Sequence, residues 1–184
     1  MTANNQDILS VRELQKEDIE LIVSYWLESD SLSLLAMGVD LKKIPTKESL
    51  TQSLLGQLNM PLRHKQSYCI IWLLNNQPIG HSNTNPISYG KEAFMHLHIW
   101  DKTIRKKGLG AEFVKMTLPY FFENLKLQKI YCQPYALNPP PNKTLKKIGF
   151  NFVKEYITIP GSLNFEQSVL LWELTLEKFK TLPS

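Results

Sequence analysis

The sequence predicts an α/β protein, of the α+β kind, built around one mixed sheet. Apolar and polar residues alternate in several short segments, apolar residues recur at helical spacing in others, and the two kinds of segment are interleaved. The predicted order is β-α-α-β-β-β-α-β-α-β-β, which makes about seven strands and about four helices. A chain of 184 residues is expected to form a single domain over residues 1–184 with a sizeable core.

The first third of the chain predicts one strand and two helices. Residues 8–14 alternate apolar and polar side chains, which is typical of a strand. Glu17 and Asp18 then favour the start of a helix, whose apolar residues recur at helical spacing to Trp26. Thr46 can cap a second helix, which runs to about residue 58 with a leucine every four residues.

The middle of the chain predicts a hairpin and a central strand. Residues 68–74 are apolar and form a strand, residues 75–77 are turn formers, and residues 78–82 return as the second strand. The polar segment 83–90 is expected to be a loop. Residues 93–101 alternate again and predict the strand at the centre of the sheet.

The last part of the chain predicts two more helices and three strands. Residues 108–122 form a helix that Pro119 interrupts or ends, because proline removes a backbone donor. The remaining segments are a strand at 129–133, a short basic helix at 142–148 that follows three prolines and stops at Gly149, and a closing hairpin of strands at 150–159 and 167–176.

Composition excludes several classes of protein. Apolar residues make up 43% and charged residues 21% of the chain, as in ordinary soluble proteins. The apolar stretch at 68–74 is far shorter than the roughly 20 residues that cross a bilayer, and the N-terminus lacks the pattern of a signal peptide. Cys69 and Cys132 lie in predicted strands, so we expect buried, reduced thiols rather than a disulfide. The expected location is the cytoplasm, without a membrane partner.

Basic residues cluster in two short patches, although the net charge is only +4. The patches are formed by Lys102, Arg105, Lys106 and Lys107, and by Lys143, Lys146 and Lys147. They are too short for a nucleic-acid track and suit a phosphorylated cofactor better.

The junction between the central strand and the next helix carries the clearest chemical signal. Gly108 and Gly110 let backbone amides approach a ligand without a Cβ in the way. These amides lie at a helix N-terminus, which attracts anions. The alternative is a solvated basic turn; the strand-turn-helix context favours a diphosphate site.

The order of elements and the string R-x-x-G-x-G at residues 105–110 resemble the GNAT superfamily of N-acetyltransferases. Asn138, followed by Gly149 and Phe150 at a spacing of eleven residues, resembles a second motif of that family. The opening residues 10–14 and Glu112 are similar to the branch of the ribosomal-protein alanine N-acetyltransferases. The resemblance implies the GNAT fold, with a sheet splayed at its central strands, and transfer of an acetyl group from acetyl-CoA to a primary amine, without a metal.

The resemblance also implies roles for particular residues. A backbone N–H of the central strand would polarise the thioester, and by position it comes from Ile99 or Trp100. The implied acetyl-CoA contacts are Ile99, Trp100, Arg105, Lys106, Lys107, Gly108, Leu109, Gly110, Asn138 and Lys143. The family often has a tyrosine or a serine as general acid where this chain has Leu145 and Pro141. Asn142, Thr144 or Tyr135 could substitute, or the thiolate leaves without an acid.

Alternation along the central strand places His96, His98 and Trp100 on one face. A histidine beside a reaction centre can serve as the base, since its unperturbed pKa is about 6.5. His98 is preferred to His96 because it is nearer to the expected thioester site. The alternative is that both are hydrogen-bonded residues on a half-buried face, and two histidines without a third ligand do not predict a metal site.

Residues outside these motifs are expected to bind the acceptor. The candidates are Tyr25, Trp26, Phe165 and Glu166, of which Glu166 could receive an ammonium group or be a solvated loop residue. The expected partners are acetyl-CoA and an amine, bound by a monomer or a homodimer. Two other hypotheses remain: an acyl-CoA-binding sensor without turnover, and a basic nucleic-acid-binding domain.

Overall fold

The computed structural model describes residues 7–104 and 108–183, except for the side chain of Lys102. Its strands are β1 (Leu9–Glu13), β2 (Tyr68–Leu74), β3 (Gln77–Ser88), β4 (Glu92–Ile99), β5 (Lys129–Cys132), β6 (Asn151–Thr158) and β7 (Gln167–Thr175). Its α-helices are α1 (Ile19–Glu28), α2 (Ser31–Ala36), α3 (Lys47–Leu58), α4 (Leu109–Pro119), α5 (Pro139–Ile148) and α6 (Leu176–Phe179). The predicted α/β class is therefore confirmed.

All seven strands form one mixed sheet in the order β1-β2-β3-β4-β5-β7-β6. The pair β4–β5 is parallel and the other neighbours are antiparallel. The turn between β2 and β3 is made by Asn75 and Asn76, both with positive φ, as a tight hairpin turn requires. The chain crosses from β4 to β5 through α4, so the one parallel pair has its crossover helix.

Strand β2 explains how the sheet is covered on both faces. Tyr68, Ile70 and Trp72 belong to a large core cluster that includes Phe113 and Val114 of α4. The alternate residues Cys69, Ile71 and Leu73 belong to a second cluster with Ile22 of α1. A continuous apolar run is what a strand covered on both faces needs.

The prediction of a loop at residues 83–90 is wrong over residues 83–88. Strand β3 continues to Ser88, because Ile87 and Ser88 pair with Ala93 and Glu92 of β4. Pro86 falls within the irregular step of the register between Thr84 and Ile87, where a residue without an N–H is tolerated. The polar side chains of this segment therefore lie on a paired strand beside the site described below.

Helix α5 begins earlier than predicted. The three prolines form its first turn, so the helix starts at Pro139 and not at residue 142. The first amides of a helix have no intrahelical acceptor, and proline is tolerated there for that reason. Gly149 ends the helix with φ of 109°, as expected.

Two short helices, α2 and α6, were not predicted. Asp30 caps α2 by accepting a hydrogen bond from the Ser33 amide at 2.9 Å, but six residues are too few for a clear periodic signal.

Pro119 ends α4 as expected, and the chain continues into one π-helical turn over Tyr120–Asn124.

Cys69 and Cys132 are buried free thiols, as predicted. Within residues 7–104 and 108–183, no helix is both long and apolar enough to span a membrane.

Candidate active site

Strands β4 and β5 separate in the middle of the sheet. They pair over residues 92–94 and 129–131 only, while β4 continues to Ile99 and β5 ends at Cys132. Beyond Phe94 a gap therefore opens between them, and the predicted splay of the central strands is confirmed. The backbone of β4 offers its polar groups to that gap.

The direction of each β4 amide follows from one hydrogen bond. The Trp100 N–H donates to the Ile79 carbonyl at 2.9 Å, toward β3. Because amide directions alternate along a strand, the N–H groups of Leu97 and Ile99 point to the gap side. Trp100 therefore cannot supply the backbone donor expected from the sequence, and Leu97, which the sequence did not single out, is directed to the gap together with Ile99.

The gap leads into a cavity of about 340 Å³. Its walls come from β3, β4, the segment after β5, the start of α5, the β6–β7 connection and the α1–α2 region. The lining residues that matter below are Trp26, Met37, Asn83, Asn85, His96, Leu97, His98, Cys132, Gln133, Tyr135, Asn138, Asn164 and Gln167. Side chains distant in sequence thus meet beside the splayed strands.

One face of the sheet next to the cavity carries a cluster of histidine and aromatic rings. His98 pairs with His81 of β3 in the strand register, and their rings stack with centroids 4.7 Å apart. Trp26 of α1 meets His98 edge-on at 5.1 Å. The alternation predicted for β4 therefore brings His98 to the cavity wall, held between β3 and α1.

Tyr25 orients His98. The Tyr25 hydroxyl lies 3.2 Å from His98 Nδ1 and 3.4 Å from Met37 Sδ. The hydroxyl has one proton, so when it donates to the sulfur, its oxygen can accept the Nδ1 proton of His98. The Tyr25 side chain is buried, so its packing holds the hydroxyl in place against His98.

His96 has a fixed tautomer. Its Nε2 lies 2.8 Å from the Asn85 carbonyl oxygen, which can only accept, so Nε2 carries the proton. Burial lowers the pKa of His96, although the bond to Asn85 works against this. His96 therefore lines the cavity as a neutral imidazole near pH 7.

His81 is a functional candidate that sequence reasoning missed. Its ring is buried, and its Nδ1 accepts a hydrogen bond from the Trp100 indole N–H at 2.8 Å. Burial, with a smaller contribution from His96, lowers the pKa of His81 to about 3. His81 is thus a neutral platform under His98; its position opposite His98 in the hairpin was the available signal.

The glycine segment lies beside the C-terminal end of β4. Gly108 is the N-cap of α4 with φ of 79°, and no described atom lies within 4 Å of the position a Cβ would take. A Cβ on Gly110 would lie 3.7 Å from Ile99 Cδ1 and 3.9 Å from Thr144 Oγ1. The first turn of α4, including Leu109, therefore adjoins both β4 and α5. Arg105, Lys106 and Lys107 lie outside the described residues.

Comparison with known proteins agrees with this geometry. The family model of the acetyltransferase (GNAT) domain matches residues 9–151. The chain belongs to the GNAT acetyltransferase family. No curated protein sequence matches it significantly.

Solved structures share this GNAT fold at low sequence identity. A ribosomal L7/L12 alpha-N-protein acetyltransferase, RimL, in complex with coenzyme A has a TM-score of 0.74 and 13% identity, covering 92% of this chain and 95% of its own. Spermidine N-acetyltransferase from Vibrio cholerae with CoA and spermine has a TM-score of 0.76 and 17% identity, covering 94% and 98%. Aminoglycoside acetyltransferase AAC(6')-Ib with coenzyme A and kanamycin has a TM-score of 0.72 and 16% identity, covering 95% and 98%.

Within this GNAT domain, the start of α5 faces the cavity. Asn138 is the N-cap of the helix and lines the cavity. Asn142, by contrast, is buried in a closed set of hydrogen bonds. Its Nδ2 donates to the carbonyls of Tyr135 and Asn138, and its Oδ1 accepts from the Trp172 indole at 2.8 Å. Asn142 therefore holds the helix in place, and Lys143 is exposed.

The residues expected to bind the acceptor divide into two groups. Trp26 lines the cavity and Tyr25 contacts His98 behind it. Phe165 packs edge-on against Tyr135 at 5.9 Å, and Glu166 is exposed; neither lines the cavity. The β6–β7 connection reaches the cavity through Asn164 and Gln167 instead, residues on either side of the pair that the sequence suggested.

The described residues contain no cluster of three or more His, Cys, Asp or Glu side chains that could hold a metal ion.

Proposed function

We propose that this GNAT-family protein transfers the acetyl group of acetyl-CoA to a primary amine by direct attack on the thioester. The observation that carries the proposal is the placement of His98 and the Leu97 amide at one gap in the sheet. A base and a backbone donor at a single opening are what acyl transfer to an amine requires. The proposal assigns the whole chain to one catalytic domain.

The residues present fit acetyl-CoA. The left-handed conformation of Gly108 and the open space beside it leave the first amides of α4 accessible, and such amides bind phosphate groups. The proposed diphosphate contacts are Gly108, Leu109 and Gly110 together with Arg105, Lys106 and Lys107. Asn138 and the β4 amide of Ile99 are proposed to hold the arm that runs from the diphosphate to the thioester.

When bound, acetyl-CoA supplies an acyl group activated as a thioester. The Leu97 N–H stabilises the negative charge that develops on the thioester oxygen. His98 removes the proton from the attacking ammonium at Nε2, because Nδ1 contacts Tyr25. His96 is less suited to be the base, since its Nε2 proton is held by Asn85 and burial lowers its pKa.

Of Asn142, Thr144 and Tyr135, the substitutes that the sequence offers for the general acid, Tyr135 is the one that lines the cavity. Tyr135 lines the cavity beside Asn138, whereas Asn142 is engaged by three partners and Leu145 is buried. We therefore assign the acid role, where one is needed, to Tyr135.

The free thiols of Cys69 and Cys132 support a reducing compartment, which we propose is the cytoplasm.

Two measurements on the intact protein test the proposal. Calorimetric titration with acetyl-CoA is expected to show saturable binding, and release of free CoA with a panel of amines and peptides is expected to show turnover. Binding without turnover on any acceptor would favour an acyl-CoA sensor over an enzyme. Absence of acyl-CoA binding would overturn both.

A further inference from the structure

The described residues that line the cavity beside β4 carry no charged side chains. Among the described residues that form its walls, none is Asp, Glu, Lys or Arg. Instead, six carboxamides surround the space. They are Asn83, Asn85, Gln133, Asn138, Asn164 and Gln167. A cavity with this lining offers hydrogen bonds but no countercharge.

The titratable side chains of the wall do not restore a negative charge. Cys132 lies at the end of β5, and burial raises the pKa of its thiol to about 12, so the sulfur stays protonated. His96 is neutral near pH 7, because burial lowers its pKa although the hydrogen bond to Asn85 works against this. Neither group can pair with an ammonium ion.

Carboxylates close to the cavity in sequence are directed elsewhere. Glu166 is exposed outside the cavity. Asp40 accepts a hydrogen bond from the Lys42 amide at 3.1 Å, and its other oxygen lies 3.9 Å from Lys43 Nζ. Neither the Glu166 nor the Asp40 carboxylate therefore contributes a negative charge to the cavity wall.

Gln167 contributes a fixed, uncharged side chain to the wall. Its Nε2 donates to the carbonyls of Gly38 and Phe165, at 2.9 and 3.2 Å. Its Oε1 is buried and has no hydrogen-bond partner among the described residues. This oxygen lies against Gly38, where a Cβ would collide with it, so Gln167 presents no charge and no free carboxylate to the cavity.

The lining determines which amines can enter. An ammonium ion transferred to a site without a countercharge loses solvation, so its binding is penalised until it gives up its proton, which we assign to His98. An α-amine has a pKa about 2.5 units below that of a lysine side chain, so its uncharged fraction near pH 7 is about 300-fold larger. A polyamine must shed several protons.

We propose that the acceptor is an α-amine flanked by uncharged, peptide-like groups, and that the cavity discriminates against alkylammonium and polycationic acceptors. The carboxamides other than Asn138, which we assign to acetyl-CoA, match the N–H and C=O groups of a peptide backbone. Trp26, Met37 and Pro86 provide apolar wall for its side chains. This inference rests on the proposed acetyl transfer and names the substrate class of that same site.

The test compares three acceptors with the intact protein. They are a tripeptide amide of apolar residues with a free α-amine, Nα-acetyl-lysinamide with one alkylamine, and spermidine. We expect the ratio kcat/KM at pH 7 to favour the tripeptide amide at least tenfold over each of the others. A preference for spermidine or the lysinamide would overturn the inference and leave the acetyl-transfer proposal standing.

Binding is measured as well, so that the inference can be judged without turnover. Calorimetric titration of the CoA-loaded protein with the same three compounds is expected to give the tightest binding for the tripeptide amide. If no acceptor releases CoA, the proposed function fails. The order of affinities still decides the inference in that case. Tightest binding of the tripeptide amide supports discrimination against charged acceptors, and tighter binding of spermidine or the lysinamide overturns it.

A substitution gives an independent arm of the test. Asn83→Asp places a carboxylate in the wall opposite His96 at nearly unchanged volume. Asn151→Asp adds the same charge on β6, where Asn151 contacts Lys178 and does not line the cavity. We expect Asn83→Asp to raise the spermidine-to-peptide ratio of kcat/KM at least tenfold and Asn151→Asp to leave it unchanged. Equal ratios in both variants would overturn the inference.

Discussion

The Nδ1 atom of His98 lies 3.2 Å from the hydroxyl oxygen of Tyr25. This contact joins α1 to β4 across the edge of the cavity, so the imidazole has a fixed orientation before any acceptor arrives. Fixed orientation matters because a base acts only within hydrogen-bond reach of the proton that it removes. The pair is therefore the centre of the proposed chemistry, with His98 moving the proton and Tyr25 positioning the ring.

The first prediction concerns His98. Replacement His98→Ala is expected to lower kcat by about 10²–10⁴-fold, the usual contribution of a general base. Binding of acetyl-CoA, measured by calorimetry, should stay within about twofold of wild type, since the glycine segment that we assign to the diphosphate is unchanged. Steady-state release of CoA provides kcat.

His64→Ala serves as the control for loss of an imidazole, because His64 is exposed and does not line the cavity. It should retain the wild-type rate. A His98→Ala protein with the rate and pH–rate profile of wild type would show that His98 is not the base.

The second prediction concerns the hydroxyl of Tyr25. Tyr25→Phe keeps the buried ring but removes the partner of His98, so kcat is expected to fall by about tenfold through loss of orientation. The KM values for acetyl-CoA and acceptor should not change. Kinetics corrected for the folded fraction, measured beside a thermal melt, separate this effect from instability.

Tyr120→Phe is the matched control. Its hydroxyl lies 3.5 Å from the Val11 carbonyl, away from the cavity, and its loss should not alter kcat. If Tyr25→Phe lowers only the melting temperature and not the kcat of folded protein, Tyr25 is a packing residue and not a positioning one.

The third prediction concerns Gly108. Gly108→Glu places a side chain and a negative charge in the open space at the start of α4, where we assign the diphosphate. Repulsion at about 4 Å and an intermediate dielectric is on the order of 4 kcal/mol, which corresponds to about a 1000-fold loss of affinity. Calorimetry with acetyl-CoA measures this loss.

Gly90→Glu isolates the backbone contribution. Gly90 has φ of 78°, nearly equal to the 79° of Gly108, and open space beside it as well. Both variants should therefore be destabilised alike, by about 1–3 kcal/mol for a side chain in this conformation. Equal acetyl-CoA affinities for the two proteins would remove the diphosphate from the start of α4.

The fold was predictable where local pattern and burial agree. The apolar run that predicted β2 reproduces its bounds, Tyr68–Leu74, because both faces of that strand are covered. The polar segment after Ser82 failed as a prediction, because its pairing depends on β4 and not on its own residues. Period-two and period-3.6 patterns report burial, and a strand with exposed side chains gives no such signal.

The site was predictable along single strands but not across the molecule. Alternation alone placed His96 and His98 on one face of β4. His81 depended on the register of the hairpin, which brings it opposite His98. Gln167 depended on the connection that returns the chain to Gly38, a contact across 129 positions. Contacts between residues so far apart in the chain produce no periodic pattern in the sequence.

The last prediction concerns acid stability and His81. Burial lowers the pKa of His81 to about 3, whereas an unfolded histidine has a pKa of about 6.5. Between these values the unfolded state binds a proton that the folded state excludes. The free energy of unfolding therefore decreases as the pH falls from about 6.5 toward 3, by up to about 1.4 kcal/mol per pH unit from this residue. Replacement His81→Gln removes that proton but keeps an oxygen that can accept from the Trp100 indole. Urea unfolding at pH 7.5, 6.0 and 5.0 should show a shallower loss of stability for the variant; parallel pH dependences would mean that His81 titrates in the folded protein as it does in the unfolded chain.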